Sequence, residues 1–166
     1  MFKKYLSSIF LLTLFISPVV AQEKGKEPMQ PRCEIIQTRI QNRHVKFEEN
    51  KGKYIESYKK LMFRLNSIST VLNDKGFDTS KLEVDIDSMD KLVQTHASKY
   101  VEFVDSVSNL SGHVCDGSSN KFGNFLGLSK DKLEATIQDR KQIKEFYTSV
   151  IREDLKDLRE QAREAN

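Results

Sequence analysis

Tryptophan is absent from the 166 residues, and the three prolines, Pro18, Pro28 and Pro31, all precede Cys33. From Cys33 onward no residue removes a backbone N–H, so nothing forbids long helices. Cysteine is almost absent as well. Cys33 and Cys115 stand too far apart for a Cys-x-x-Cys redox or zinc motif. An excess of one charge is missing too. Lys and Arg number 27 against 24 Asp and Glu, and Lys3 and Lys4 lie in a segment expected to be removed, which leaves a balance of +1. No strong basic field remains for nucleic acid. H-E-x-x-H, G-x-S-x-G, P-loop and Glu-x-x-His patterns do not occur, so no recognised catalytic or di-iron constellation is present. Abundant carboxylates such as Glu48-Glu49 sit among lysines and arginines and read as solvated faces with i,i+4 pairing. The expectation is a protein that is not an enzyme and holds no cofactor.

What is present begins with an address. Lys3 and Lys4 precede an apolar run from Leu6 to Phe15, and Pro18 breaks the segment before Val19 and Ala21. Small residues at −3 and −1 predict cleavage near Ala21, so residues 1–21 read as a signal peptide. The apolar run is shorter than the ~20 residues a spanning helix needs. Export to the periplasm or the medium follows as an expectation. Residues 22–32 are polar, carry Pro28 and Pro31, and read as a flexible leader.

Residues 33–166 read as one three-helix domain, with helices about 33–74, 79–111 and 129–164. Along the first, Cys33, Gln37, Ile40, His44, Phe47, Lys51, Tyr54, Tyr58, Leu61, Leu65, Ile68 and Leu72 alternate steps of four and three, a heptad seam. Asn73-Asp74-Lys75-Gly76 ends it, with Gly76 suited to the left-handed position after a helix. Asp78 or Ser80 can cap the next helix, and Ser80 with Glu83 has capping-box spacing. The second seam runs Leu82, Ile86, Met89, Val93, His96, Tyr100, Phe103, Val107, Leu110 and Val114. Leu92, Val101 and Val104 widen it enough to touch two neighbours. Ser129 can cap a third helix whose face is Leu133, Ile137, Arg140, Ile143, Tyr147, Ile151, Leu155, Leu158 and Ala162, with steps that drift off the heptad. Short turns make sequential helices antiparallel. The fold class is therefore all-α: an elongated up-down-up three-helix bundle with a coiled-coil-like antiparallel hairpin.

Ser111–Leu128 contains four glycines and reads as the one long non-helical segment. Its Phe122, Phe125, Leu126 and Leu128 either plug the bundle end or form a partner-binding loop. Folding the hairpin about Phe77 brings Cys33 and Cys115 to the same end. With an oxidising compartment, that predicts an intramolecular disulfide. The same folding sets His96 near Tyr58 and His44 near Leu110. His44, Glu48 and His113 are the weak candidates for a metal site, against polar seam residues that fix register.

Several segments carry a resemblance. A Cys opens the first helix, then come Arg39 to Arg43 and Glu48-Glu49-Asn50-Lys51. The turn Lys75-Gly76-Phe77-Asp78-Thr79-Ser80-Lys81-Leu82-Glu83 follows, then the second Cys, Phe146-Tyr147 and Val150-Ile151-Arg152-Glu153-Asp154-Leu155. In these the chain resembles a group of small exported bacterial helical proteins without an assigned activity. The resemblance implies architecture and export, and no mechanism. The overall design is similar to helical envelope chaperones, at the level of fold alone. Three functions are carried forward. The first is a non-enzymatic module that binds a protein or envelope partner, with no nucleic acid and no evident small-molecule substrate, as monomer or homodimer. The others are a holdase-like chaperone and a metal-binding helical protein.

Overall fold

The computed structural model describes residues 29–115 and 119–164. The signal-peptide reading for 1–21 and most of the leader lie outside them. The described chain is helical in three antiparallel rods. α1 spans Met29–Asp74 and α2 spans Ser80–Gly112. The third rod is α3 (Ser119–Phe146), a π turn (Tyr147–Ile151) and α4 (Arg152–Glu164). At about 1.5 Å per residue, the 46 residues of α1 extend about 69 Å. The all-α three-helix bundle expected from the seams is the observed fold.

The α1–α2 turn forms because Gly76 takes φ +86, a conformation that costs a side-chain-bearing residue its Cβ clearance. Gly76 N donates to Asn73 O at 2.8 Å and Phe77 N to Leu72 O at 3.1 Å, the paired bonds of a Schellman end. Phe77 and Leu72 then pack together on the core. The Ser80–Glu83 box does not form. Asp78 Oδ1 instead accepts from Ser80 N at 3.0 Å. The Glu83 carboxylate accepts the hydroxyls of Thr79 at 2.8 Å and of Ser69 on α1 at 3.0 Å, tying the two helices beside their turn.

α2 is central. It packs along both other rods, while α1 and α3 reach each other only through side chains. Met89 and Val104 are wholly enclosed on it, and Leu82, Ile86 and Phe103 nearly so. Two clusters result. One gathers Met62, Leu65, Ile86, Met89, Ile143, Ile151 and Leu158 at the turn end. The other gathers Tyr100, Phe103, Val104 and Val107 with Ile40, Phe47, Tyr54 and Leu133 towards the cysteine end. Fully burying a side chain of this size stabilises by about 1.5–3 kcal/mol.

Three sequence expectations need correction. α1 is already helical at Met29, so the leader does not extend to Arg32. Pro31 sits in the first turn, where its missing N–H has no carbonyl to serve. The second correction concerns Ser111–Leu128. α2 continues through Gly112, and α3 starts at Ser119 rather than Ser129. Gly123 and Gly127 cost about 1 kcal/mol each against Ala. Half-buried Phe122 and Leu126 and buried Ser129 nevertheless extend the apolar seam of α3, and that burial outweighs the glycines. Ser129 caps nothing and donates to Phe125 O at 2.9 Å.

The third correction explains the drifting steps. Ile137 is 55% exposed, and Thr136 is buried in its place. The seam therefore runs Phe122, Leu126, Ser129, Leu133, Thr136, Arg140, Ile143, Tyr147, a strict alternation of four and three. It resumes at Ile151 and continues Leu155, Leu158, Ala162 in the same way. Between Ile143 and Leu155 it takes three steps of four, one residue too many. The π turn at Tyr147–Ile151 lies there. An i→i+5 turn holds one extra residue without breaking the helix. It returns Ile151 and Leu158 to the core, at 0% and 5% exposure.

Two outcomes are expected. Deleting the exposed Thr148 converts the π turn to regular helix and leaves a strict heptad seam. It should lower the thermal midpoint less than deletion of the exposed Lys141, which rotates Ile143 and Tyr147 off the core before the turn can restore the phase. Replacing Cys33 and Cys115 by serine removes a cross-link spanning 82 residues and should lower stability in urea titration by up to about 4–5 kcal/mol.

Candidate functional site

The heptad spacing carries polar residues into the interior at two levels of the rod. In the middle, the steps Val93, His96, Tyr100 put a histidine and a tyrosine on the core face of α2. His96 packs edge-on to Tyr58 at 5.8 Å between ring centroids and to Tyr100 at 6.1 Å. The predicted pairing of His96 with Tyr58 is thus observed. Tyr54 meets Tyr100 at 5.7 Å, and Phe47 meets Phe103 at 4.8 Å. From the third rod, the Arg140 guanidinium lies 5.3 Å from the Tyr54 ring centroid, a cation–π contact that explains why an arginine interrupts the seam. Beside it, Asp139 Oδ1 accepts from Lys99 of α2 at 2.9 Å.

This layer is polar and buried. His96 is 3% exposed and Asp139 8%. His96 Nδ1 and Asp139 Oδ2 are buried without a protein partner. Burial lowers the His96 pKa against the pull of Asp139, and Arg140 and Lys99 add to the lowering. Burial pushes the Tyr100 hydroxyl up to about 12 and raises Tyr58 as well. The crevice between Lys51, Tyr54, Tyr58, His96 and Tyr100 measures only ≈ 10 Å³, room for at most one water. Neutral imidazole at neutral pH, fixed between aromatic edges and facing a lysine-paired carboxylate, serves as an interlock between three helices. It leaves no space for a substrate.

The second level lies near the α1–α2 turn. Lys81 reaches Asp85 on its own helix at 2.9 Å and also Asp154 of α4. Asp154 is 5% exposed, and its Oδ2 has no protein partner. Burial raises the Asp154 pKa despite Lys81. The two carboxylates hold the Lys81 ammonium well above the usual lysine range. Lys81 is itself 73% exposed, so solvent supports its charge, and the cost of the pair falls on Asp154.

The residues singled out from sequence separate into two groups. Cys33 and Cys115 meet as a disulfide with Cα atoms 5.4 Å apart. The hairpin contacts run close to Phe47–Phe103 and Ser69–Glu83, so Cys33 sits several residues short of its simple register partner. The turn following Gly112 takes up that slack. Phe122, Phe125, Leu126 and Leu128 lie on the first turns of α3 instead of a loop, with Phe125 stacked on His113 at 4.3 Å and 7° between planes. Only Leu128, at 47%, is exposed. Phe125 and Leu128 line a surface groove with Asp105 and Asn109 of α2. Glu48 pairs with Lys51, and among the described residues no three His, Cys, Asp or Glu converge as metal ligands. Lys99, Asp139, Lys81 and Asp154 escaped sequence reading because each sits one position off an apolar seam, where charge reads as surface.

No family model, curated protein or solved structure matches the chain.

Because the folded-state pKa of His96 is depressed, the unfolded chain binds the proton more tightly. Stability present above the ordinary histidine range, about pH 6.5, is therefore lost as pH falls below it. Urea unfolding at mildly acidic and at neutral pH should show the wild type weaker in acid. His96→Gln should flatten that difference. An unchanged pH dependence in the variant would remove His96 from this role.

Proposed function

We propose that the chain is an exported, non-enzymatic helical module that acts by surface contact with a protein or envelope partner. The observation that supports this reading is where large apolar side chains meet solvent. Ile35, Ile36, Val45, Phe63, Ile68 and Val71 are all exposed on α1, with Phe63 at 73%. Six such groups on one helix offer apolar contact surface to a partner. The buried polar groups support the same reading, since both polar levels are consumed in holding helices together. The disulfide at one end and the Schellman turn at the other hold α1 against α2 along its length. A stiff backing of this kind preorganises a contact face and lowers the entropy lost on docking. Among the described residues, no helix is long and apolar enough to cross a membrane, so contact through the helical body would be peripheral.

A photo-crosslinking residue in place of Phe63, in the full chain expressed in cells, should give a discrete adduct. The same group in place of exposed Glu160 on α4 should not. Equal labelling from both positions, or none from either, would discard the reading.

A further inference from the structure

A line of cations runs along the outer side of α1. Arg32, Arg39, Lys46, Lys53 and Lys60 recur at intervals of seven, and all five are exposed. On a helix a seven-residue interval is almost two turns, so the five charges lie along one side at a pitch of about 10.5 Å. Arg39, Lys46 and Lys53 make no ion pair with a described residue, while Lys60 meets Glu56 one turn away. Two exposed apolar groups flank its inner four cations, Arg39 to Lys60. Ile35, 53% exposed, stands one turn before Arg39, and Phe63, 73% exposed, stands one turn after Lys60. Charge is also segregated between helices. From Arg32 to Asp74 nine Lys and Arg face five Asp and Glu, whereas from Ser80 to Gly112 three lysines face six acids. The small net charge of the chain conceals this division.

We propose that this flank of α1 lies on an anionic phospholipid surface. The proposal rests on the contact-module reading and names its partner. The row drifts by only ~20° per interval, so Arg39, Lys46 and Lys53 on a stiff rod turn toward one plane, as a bilayer of phosphate headgroups requires. The apolar groups at both ends insert at the boundary between headgroup and acyl chain, as on other surface-lying helices. A hydrated nucleic-acid backbone would reward the cations and leave Ile35 and Phe63 without a partner. The acidic α2 packs behind α1 and keeps the opposite side of the hairpin away from the same surface.

The test is sedimentation of the full chain with vesicles of phosphatidylcholine alone and with roughly 30% phosphatidylglycerol added, an anionic content that attracts basic segments. Binding should increase with phosphatidylglycerol and weaken with added salt. The exposed triple reversal Arg39→Glu/Lys46→Glu/Lys53→Glu, verified as folded by circular dichroism, should lose at least about ten-fold of that increment. Reversal of three exposed cations on the third rod, Lys130→Glu/Lys144→Glu/Arg159→Glu, changes net charge equally and should retain it. The apolar N-terminal segment is common to all three proteins and cancels in the comparison. No phosphatidylglycerol dependence, equal loss in both variants, or displacement from vesicles by a short oligonucleotide at equal phosphate would overturn the proposal. Because no protein partner is in the assay, such a failure leaves the Phe63 crosslinking result to judge the contact module separately.

Discussion

Burial of α2 on two sides is the constraint on which the remainder of the structure depends. The backbones of α1 and the third rod do not approach closely and meet through side chains such as Arg140 on Tyr54, so each is held chiefly by its own seam against α2. The widened stripe of that helix, with Val104 enclosed and Leu92 half-buried beside the heptad positions, makes two interfaces possible on one cylinder. Every other device keeps the partners in phase with it. The Schellman turn and the Glu83 bonds set the start of the hairpin. The cysteine pair closes its far end, and the π turn keeps the third rod facing inward beyond Tyr147.

The polar levels act in the same way. An apolar seam alone tolerates sliding by one heptad, because leucine meets leucine again after seven residues. His96 among three tyrosines, Asp139 on Lys99, and Asp154 on Lys81 each have a single matching position along the rod. Buried ion pairs of this kind contribute little net stability, and His96 Nδ1, Asp139 Oδ2 and Asp154 Oδ2 have no protein partner. Their effect is to penalise the wrong register. The interior is thereby committed to specificity of folding.

Legibility followed the periodicity of each region. The first two helices and Gly76 were readable because heptad steps and a turn glycine act locally. The region after Gly112 was not, since four glycines and a serine pair resemble a loop until Phe122, Leu126 and Ser129 are seen against α2. Apolarity alone puts Ile137 inside and Thr136 outside, whereas the phase of the seam does the opposite. Extending the strict seam backward from Ile143 would have recovered both, together with the start of α3. The charged partners Asp139 and Asp154 had no such signal. A carboxylate next to a seam becomes buried only when a lysine on another helix arrives to meet it.

By itself the sequence determined the helical class, the antiparallel hairpin and the pairing of His96 with Tyr58, because each follows from spacing along one chain. It also carried the alternation of cations along α1, written in intervals of seven. Tertiary structure alone decided how the extra residue near Tyr147 is accommodated and which acids go inside. Those outcomes depend on free energies shared between helices. Burial against a neighbour can exceed the cost of a glycine in a helix or of a displaced hydrogen bond, and no single segment contains both sides of that balance.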